Sequence, residues 1–169
     1  TDLLDLARME SGHMTLYKYD VSVIPFVSRI ATKFTQVARE SNVDLQLNFS
    51  EDELWAELDA DRIEQVVTNL IDNAIRHTPD KGCVTVHVEG YKDMFKITVS
   101  DTGDGISEED LPFIFERFYK VDKARTRGKG GTGLGLAIAK NIIDSHGGVI
   151  TASRGEKKGT VMTVTLPLK

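Results

Sequence analysis

The sequence contains one cysteine, Cys83, and no cysteine and histidine cluster with the spacing of a zinc site. An internal disulfide is therefore excluded, and a hydrophobic core must stabilise the fold. No apolar run approaches the roughly 18 residues of a membrane-spanning helix, and the amino-terminal stretch TDLLDLARMESG lacks the basic-then-apolar order of a signal peptide. These absences predict a cytoplasmic domain without direct membrane contact.

An excess of positive charge is also absent, because 26 acidic residues outnumber 21 basic ones and the net charge is −5. This balance gives no general attraction for nucleic acid, so we expect no nucleic-acid partner. Basic residues are nevertheless concentrated between Arg117 and Lys129, next to a run of glycines. Both a solvated loop and an anion-binding loop fit this local pattern.

The apolar periodicity predicts an alternation of helices and strands without internal repeats. Predicted helices cover residues 1–11, 22–41, a stretch from Asp59 or Asp61 through His77, and 134–146, and predicted strands cover 43–49, 83–89, 95–101, 149–153 and 160–166. In the second helix Pro25 fits the first turn, and Val37 is predicted to be buried. In the first strand Val43, Leu45, Leu47 and Phe49 alternate as in a half-buried strand. This order predicts an α+β fold, a two-layer sandwich with helices on one face of a mixed sheet.

Two asparagines, Asn69 and Asn73, lie four residues apart in the helical stretch TNLIDNAIRHTP. With Arg76 and His77 they form a second stripe beside the apolar face. Asparagine is a poor helix former, so its presence here needs a reason. A carboxamide oxygen suits Mg²⁺ that is shared with substrate phosphates. The alternative is that both side chains bond neighbouring backbone.

Asp101 ends a predicted strand and is followed by Gly103 and Gly105. A carboxylate in this position can accept a hydrogen bond while the backbone bends closely around a flat ligand. A tight turn, in which Asp101 bonds only its own backbone, is the alternative.

The segment GKGGTGLGLAIAK leads from glycines directly into a helix. Backbone N–H groups and the positive end of the helix dipole can meet phosphate there. The segment matches neither the P-loop pattern nor the dinucleotide pattern G-x-G-x-x-G. A flexible hinge and a mobile lid over a polyphosphate are both consistent with it.

Taken together, these motifs resemble the ATP-binding catalytic domain of bacterial sensor histidine kinases, within the wider group of the Bergerat (GHKL) fold. DRIEQVVTNLIDNAIRHTP resembles the N box, DTGDGI the first glycine box and FIFERFYK the F box. GGTGLGLAIAK resembles the second glycine box, and GTVMTVTLP the closing motif. The five occur in family order from residue 61 to residue 167. LLDLARMESG resembles the end of the second dimerisation helix, which implies a helix end and linker at 1–15 and the catalytic domain at 16–169.

The resemblance implies ATP and Mg²⁺ as ligands. Asn73 would hold the metal, Asn69 would face the same region and Arg76 would bind phosphate. Asp101 would accept the adenine amino hydrogen, and His77 stands where the family often has an aromatic residue lining the pocket. The remaining implied nucleotide-binding residues are Gly103, Gly105, Ile106 and Thr160 around the base, and Arg117, Lys129, Gly131, Thr132, Gly133, Leu134 and Gly135 around the phosphates.

ATP-hydrolysing relatives carry a glutamate general base where this chain has Asn69, and an amide cannot take a proton. Asn69 and Asn73 are thus expected to serve phosphoryl transfer to a histidine, whose neutral imidazole needs no strong base. None of the four histidines, His13, His77, His87 and His146, lies in the family's acceptor motif. We therefore expect that this chain cannot phosphorylate itself.

The implied partners are a dimerisation domain that carries the acceptor and a response regulator receiver domain. The parent protein is expected to be anchored in the bacterial membrane, and the chain itself is expected to be monomeric, because about 11 residues of one helix cannot build a four-helix bundle. An anti-sigma-factor serine kinase and a nucleotide-gated interaction module are the alternatives.

Overall fold

Alternating apolar residues build a five-stranded mixed sheet at the centre of the computed structural model, which describes residues 2–12, 15–49, 53–116, 119, 134–156 and 158–169. The strands are β1 (Tyr19–Ser22), β2 (Asp44–Phe49), β3 (Trp55–Leu58), β4 (Cys83–Tyr91), β5 (Met94–Asp101), β6 (Val149–Arg154) and β7 (Thr160–Pro167). The order across the large sheet is β2-β4-β5-β7-β6, with β2 parallel to β4 and the other pairs antiparallel. Every second side chain of β4, β5 and β7 is buried, as expected for a sheet with one covered face.

The helices that cover this sheet carry their apolar residues at helical spacing. They are α1 (Asp2–Glu10), α2 (Val23–Thr32), α3 (Thr35–Glu40), α4 (Ala60–His77) and α5 (Gly135–Ser145), with a 3₁₀ turn at Leu111–Phe113. Asp59 is the N-cap of α4, because its side chain accepts a hydrogen bond from the Arg62 amide. Helix α4 contacts β4, β5, α2 and α5, so the helix that carries both asparagines lies at the centre of the helical layer. The predicted sandwich fold is confirmed.

Helix α1 packs against α5 rather than standing apart from the sandwich. Its Leu6 and Met9 are buried in the same hydrophobic core as the sheet residues. None of the helices in the described ranges is long and apolar enough to cross a bilayer.

The single predicted helix over 22–41 is wrong, because the structure breaks it into α2 and α3. The amides of Lys33 and Phe34 donate to carbonyls three residues earlier, which tightens the turn, and the Thr32 hydroxyl donates to the Ser28 carbonyl at 2.7 Å. Helix α2 ends there, and α3 begins at Thr35. As a result Val37, which the continuous pattern placed in the core, is 40% exposed.

Two strands were missed by the sequence patterns, β1 and β3, which pair antiparallel as a separate two-stranded sheet. Each has only four residues, too few to establish a period of two. The predicted alternation in β2 is only partly correct. Leu47 is 38% exposed, and it lies on β2, an edge strand of the large sheet.

Candidate functional site

The carboxylate of Asp101 lies at the end of β5, where the backbone of two other segments converges on it. Its Oδ1 atom accepts hydrogen bonds from the amide of Gly103 at 2.9 Å and from the amide of Thr160, the first residue of β7, at 3.3 Å. No described residue donates to Oδ2. One oxygen therefore orders the turn that the sequence offered as the alternative, and the second could still accept a hydrogen bond from a ligand, which stays a prediction.

Burial raises the pKa of the Asp101 carboxyl above its usual range, and the two backbone hydrogen bonds oppose this rise. Removal from water disfavours the charged form, whereas each N–H group stabilises it. The two amides therefore hold a partly desolvated carboxylate in the form that accepts hydrogen bonds.

Close backbone approaches explain three glycines around Asp101. A Cβ atom on Gly103 would lie 2.3 Å from the His77 carbonyl oxygen, so the turn packs directly on the carboxyl end of α4. A Cβ on Gly159 would lie 1.8 Å from the Asp101 carbonyl oxygen, and φ at Gly159 is +89°. Gly105 is also left-handed, with φ of +81°, and faces the Gly159 carbonyl. Only glycine allows these segments to meet.

Asn69 joins α4 to the start of α5, because its Nδ2 atom donates to the Gly135 carbonyl oxygen at 3.2 Å. Its Oδ1 atom stays available to a ligand, as far as the described residues show. Asn73, one turn later and half-buried, makes no side-chain hydrogen bond to any described residue. The two amides therefore differ in role: one holds a helix junction and the other has a free carboxamide among its described neighbours.

Arg76 forms an ion pair with Asp72 at 2.8 Å on the partly exposed face of α4. Asp72 thereby orients the Arg76 guanidinium, and a phosphate group could compete with Asp72 for that positive charge. His77 is half-buried, and its carbonyl contacts the Gly103 turn as described above.

The predicted residues thus form two groups along α4. One lies around Asp101 at the helix carboxyl end, and the other is the Asn69 contact with Gly135, eight residues earlier. At 1.5 Å per residue the two groups are separated by about 12 Å along the helix axis. This arrangement places a hydrogen-bond acceptor for a flat ring at one end of the site. The Asn69 carboxamide lies toward the other end and that of Asn73 midway, both with oxygens that suit a metal, whereas the Arg76 guanidinium lies next to His77 near the first end.

The remaining predicted residues fall into two sets. Ile106 packs against the hydrophobic core, and Leu134 is buried where α5 begins. Arg117, Lys129, Gly131, Thr132 and Gly133 lie outside the described residues.

No cluster of three histidine, cysteine or carboxylate side chains that could hold a metal occurs within the described ranges. A metal ion at this site would therefore need oxygens from amide side chains together with oxygens from a bound molecule that carries phosphate. That donor set fits Mg²⁺, which is commonly shared with phosphates.

Gly159 lies within the closing motif, but the sequence predicts no role for it. The only sequence feature that could have pointed to a role for Gly159 was its position directly before Thr160. Its contact with the Asp101 backbone depends on strand pairing that the motif does not reveal.

Comparisons with known proteins agree with this architecture. The profile of the family described as histidine kinase-, DNA gyrase B- and HSP90-like ATPase matches residues 58–169. The chain is 42% identical over 170 residues to the sensor histidine kinase WalK of Bacillus subtilis and 39% identical over 166 residues to the sensor protein SrrB of Staphylococcus aureus. These alignments cover 99% and 98% of this chain but only 28% of each relative.

Solved structures show the same fold. The catalytic domain of the histidine kinase ThkA in a nucleotide-free form superposes with a TM-score of 0.80 at 30% identity, covering 89% of this chain and 95% of that one. ThkA in complex with the response regulator protein TrrA gives a TM-score of 0.81 at 25% identity, covering 99% of this chain and 47% of the other.

Proposed function

The chain belongs to the family of histidine kinase-, DNA gyrase B- and HSP90-like ATPases, and from this premise we propose that it is the ATP- and Mg²⁺-binding catalytic domain of a sensor histidine kinase. It would transfer the γ-phosphate of ATP to a histidine on a dimerisation domain. The observation that carries this proposal is the Asp101 carboxylate, with one oxygen held by the amides of Gly103 and Thr160 and the other open to a ligand.

Recognition of the base would follow from that carboxylate. Asp101 would accept a hydrogen bond from the exocyclic amino group of adenine through Oδ2, since Oδ1 is engaged with backbone. Gly103, Gly105 and Ile106 would shape the surrounding wall, and Thr160 supports it through its amide. His77 and Arg76 would line the path toward the phosphates.

The phosphate end would be organised by the amide pair of α4. Asn73 would supply a carboxamide oxygen to Mg²⁺, and Asn69 would face the same region while holding the start of α5. Bound Mg²⁺ would neutralise phosphate charge as the phosphoryl group is transferred. Leu134 and Gly135 begin α5 beside Asn69, so the positive end of that helix dipole would face the phosphates. We propose that Arg117, Lys129, Gly131, Thr132 and Gly133 complete the contacts to phosphate.

Neither Asn69 nor Asn73 can act as a general base, because an amide does not take up a proton near neutral pH. A water nucleophile would lack activation at these positions. A neutral imidazole already carries the electron pair that attacks phosphorus, so it needs only positioning. The proposed acceptor is therefore a histidine outside this chain.

The proposed partners are a dimerisation domain of the same parent, which α1 and the linker over 1–15 would adjoin, and the receiver domain of a response regulator. The proposed parent is anchored in the membrane and keeps this domain in the cytoplasm. The alternatives, a serine kinase of the anti-sigma-factor type and a nucleotide-gated interaction module, receive no support from the relatives named above.

Incubation with Mg²⁺ and γ-labelled ATP tests the proposal. Alone, the chain should bind ATP but incorporate no label. Addition of the parent's dimerisation domain should give acid-labile, alkali-stable phosphate on that domain. Failure to bind ATP, or stable label on one of this chain's own histidines, would contradict the proposal.

A further inference from the structure

Two buried polar residues lie at the ends of α4 and α5 that are remote from the proposed nucleotide site. Asp59, the N-cap of α4, and His146, which ends α5, are each 6% exposed. The Asp59 amide donates to His146 Nε2 at 3.1 Å, although 87 residues separate them in the chain. The site described above does not use either side chain.

The hydrogen bonds of His146 define one protonation state. Nδ1 lies 2.8 Å from the Ile142 carbonyl oxygen, which can only accept, so Nδ1 carries the proton. Nε2 must then be the unprotonated nitrogen, because it accepts from the Asp59 amide. A doubly protonated ring would present an N–H group to another N–H group.

The Asp59–His146 bond and the Asn69–Gly135 bond form two rungs between antiparallel helices. Ten residues along α4 and eleven along α5 separate the rungs, which is about 15 Å on each helix. Between them the facing surfaces are apolar, with Ile63 and Val66 on α4 and Ile138 and Ile142 on α5 all buried. Apolar contacts persist when one helix shifts slightly along the other, whereas hydrogen bonds, which need short and aligned contacts, are lost. Sliding α5 by one residue, about 1.5 Å, would break both rungs.

Asp59 also connects this helix pair to the linker that follows α1, which here means the whole segment between α1 and β1 and so includes Tyr17 and Lys18. One carboxylate oxygen accepts from the Arg62 amide at 3.2 Å, and the other accepts from the Tyr17 amide at 3.0 Å. Helix α1 itself packs on α5. The linker, the start of α4 and the end of α5 therefore meet at a single buried carboxylate.

We infer that Asp59 and His146 are positioning residues for nucleotide binding, which fix the register of α4 against α5 and connect that register to the linker after α1. This inference rests on the proposed function, because it assigns the rung at Asn69 to the phosphate end of the ATP site. The register sets where Asn69 and Asn73 lie relative to the amino end of α5. A displacement of the linker would therefore alter the affinity for Mg·ATP.

Affinity for Mg·ATP should therefore depend on the protonation of His146. Burial lowers the pKa of His146, and Lys18 on the linker lowers it further, while the Ile142 carbonyl and the Asp59 carboxylate oppose that change. Helix α5 adds the exposed pair Lys140 and Asp144 near its end. Protonation of His146 at acid pH would break the rung to Asp59 and loosen the register.

The experiment measures the affinity of the whole chain for a non-hydrolysable ATP analogue in the presence of Mg²⁺. It compares the wild type with two variants. His146→Gln places a carboxamide oxygen near the Nε2 position, so it can still accept from Asp59 but cannot be protonated. His146→Asn is too short to reach Asp59, although it can still donate to Ile142. We expect His146→Asn to lose affinity at pH 7.5 by about fivefold or more, the lower range of coupling between linked sites, and His146→Gln to stay within about twofold of wild type.

From pH 7.5 to pH 5.5 the ratio of wild-type to His146→Gln affinity should fall. This ratio cancels the titration of the nucleotide phosphates, whose pKa lies near 6. His87→Gln is the matched control for a half-buried histidine on β4 and should leave the pH dependence intact.

Asp59→Asn keeps an oxygen for the Arg62 amide but turns an N–H donor toward the Tyr17 amide. It should weaken nucleotide binding because the hydrogen bond to the linker is lost while the hydrogen bond to His146 remains.

Circular dichroism and thermal unfolding accompany each measurement, so that only folded protein is compared. Equal affinity of His146→Asn and His146→Gln in their folded states would overturn the inference and leave a purely structural bond. If the wild-type chain failed to bind Mg·ATP at all, the proposed function itself would be wrong. These two failures are therefore distinguishable.

Discussion

Asp101 shows at the scale of one residue how stability and binding oppose each other. Its carboxylate is partly desolvated and lies beside the closely packed backbone of Gly159, yet it retains an oxygen that no described residue occupies. A charge in such a place weakens the folded state unless hydrogen bonds compensate for lost hydration. We therefore expect this side chain to serve the proposed ligand recognition in addition to ordering the turn.

Asp101→Asn should weaken adenine nucleotide binding by about 1–3 kcal/mol, roughly 5- to 150-fold, because an amide presented to the adenine amino group offers a mismatched donor. Isothermal titration with ADP measures the change. Asp93→Asn, at the turn before the opposite end of β5, is the matched control and should bind like wild type. Equal affinity of Asp101→Asn and wild type would argue against the proposed orientation of the base.

The raised pKa of Asp101 also predicts the pH dependence of stability. Just above the unfolded value of 3.8 the folded state binds more protons than the unfolded state. This residue's contribution to the free energy of unfolding therefore decreases as pH rises through that window. Urea unfolding between pH 3.5 and 6 measures the difference in free energy of unfolding between wild type and Asp101→Asn, which should shift in favour of the variant as pH rises. A shift in favour of the wild type would contradict the burial of this carboxylate.

Asn73→Ala separates a metal ligand from a structural amide. The variant should lose Mg²⁺-dependent ATP affinity while its adenosine affinity stays nearly unchanged, because adenosine has no phosphate to share a metal. Titrations of both ligands, with Mg²⁺ and with a chelator, measure the difference. An equal loss for adenosine would instead assign Asn73 a role in folding.

At the scale of secondary structure elements, the junction of β5 and β7 depends on the absence of a side chain at Gly159. Its backbone lies so close to Asp101 that a Cβ atom would overlap the carbonyl oxygen. The same approach brings the Thr160 amide to the Asp101 carboxylate. Sheet pairing and site geometry are therefore set by one contact.

Gly159→Ala should lower the free energy of unfolding by more than Gly147→Ala does. Both glycines are left-handed, with φ of +89° and +73°, so both alanines carry a conformational cost of about 1–2 kcal/mol. Only Gly159 adds a steric clash, since a Cβ on Gly147 meets nothing within 4 Å. Urea unfolding measures both variants. Equal destabilisation of the two would mean that β5 and β7 can separate without penalty.

At the scale of the whole molecule, α1 belongs to the same hydrophobic core as the sandwich. Leu6 is fully buried, although the sequence places it in a separate segment that ends near residue 15. Packing of α1 on α5 provides a physical connection between that segment and the helix beside Asn69. The domain boundary itself stays a prediction.

Leu6→Ala should destabilise the entire chain by about 2–5 kcal/mol, because it removes buried methyl groups from a shared core. Leu3→Ala, on the 51% exposed side of the same helix, should change stability by less than about 0.5 kcal/mol. Thermal unfolding followed at two wavelengths should show one transition for both variants. A wild-type stability in Leu6→Ala would mean that α1 contributes nothing to the fold.

The sequence alone determined the features that depend on neighbouring residues. Helix α4 and strands β4, β5 and β7 were predicted because each has a long, regular apolar period. The site residues were proposed from short motifs, and the family assignment agrees with the comparison to known proteins. The short strands β1 and β3 and the break after Thr32 were missed, because four residues establish no period and a local turn leaves the surrounding pattern unchanged.

Only the tertiary structure decided which distant groups meet. Asn69 reaches Gly135 across 66 residues, Thr160 reaches Asp101 across 59, and Asp59 reaches His146 across 87. Hydrogen bonds form or fail within a few tenths of an ångström, and that precision depends on how the helices pack and how the strands pair. Periodicity specifies which face of an element is buried, but packing alone specifies what that face touches.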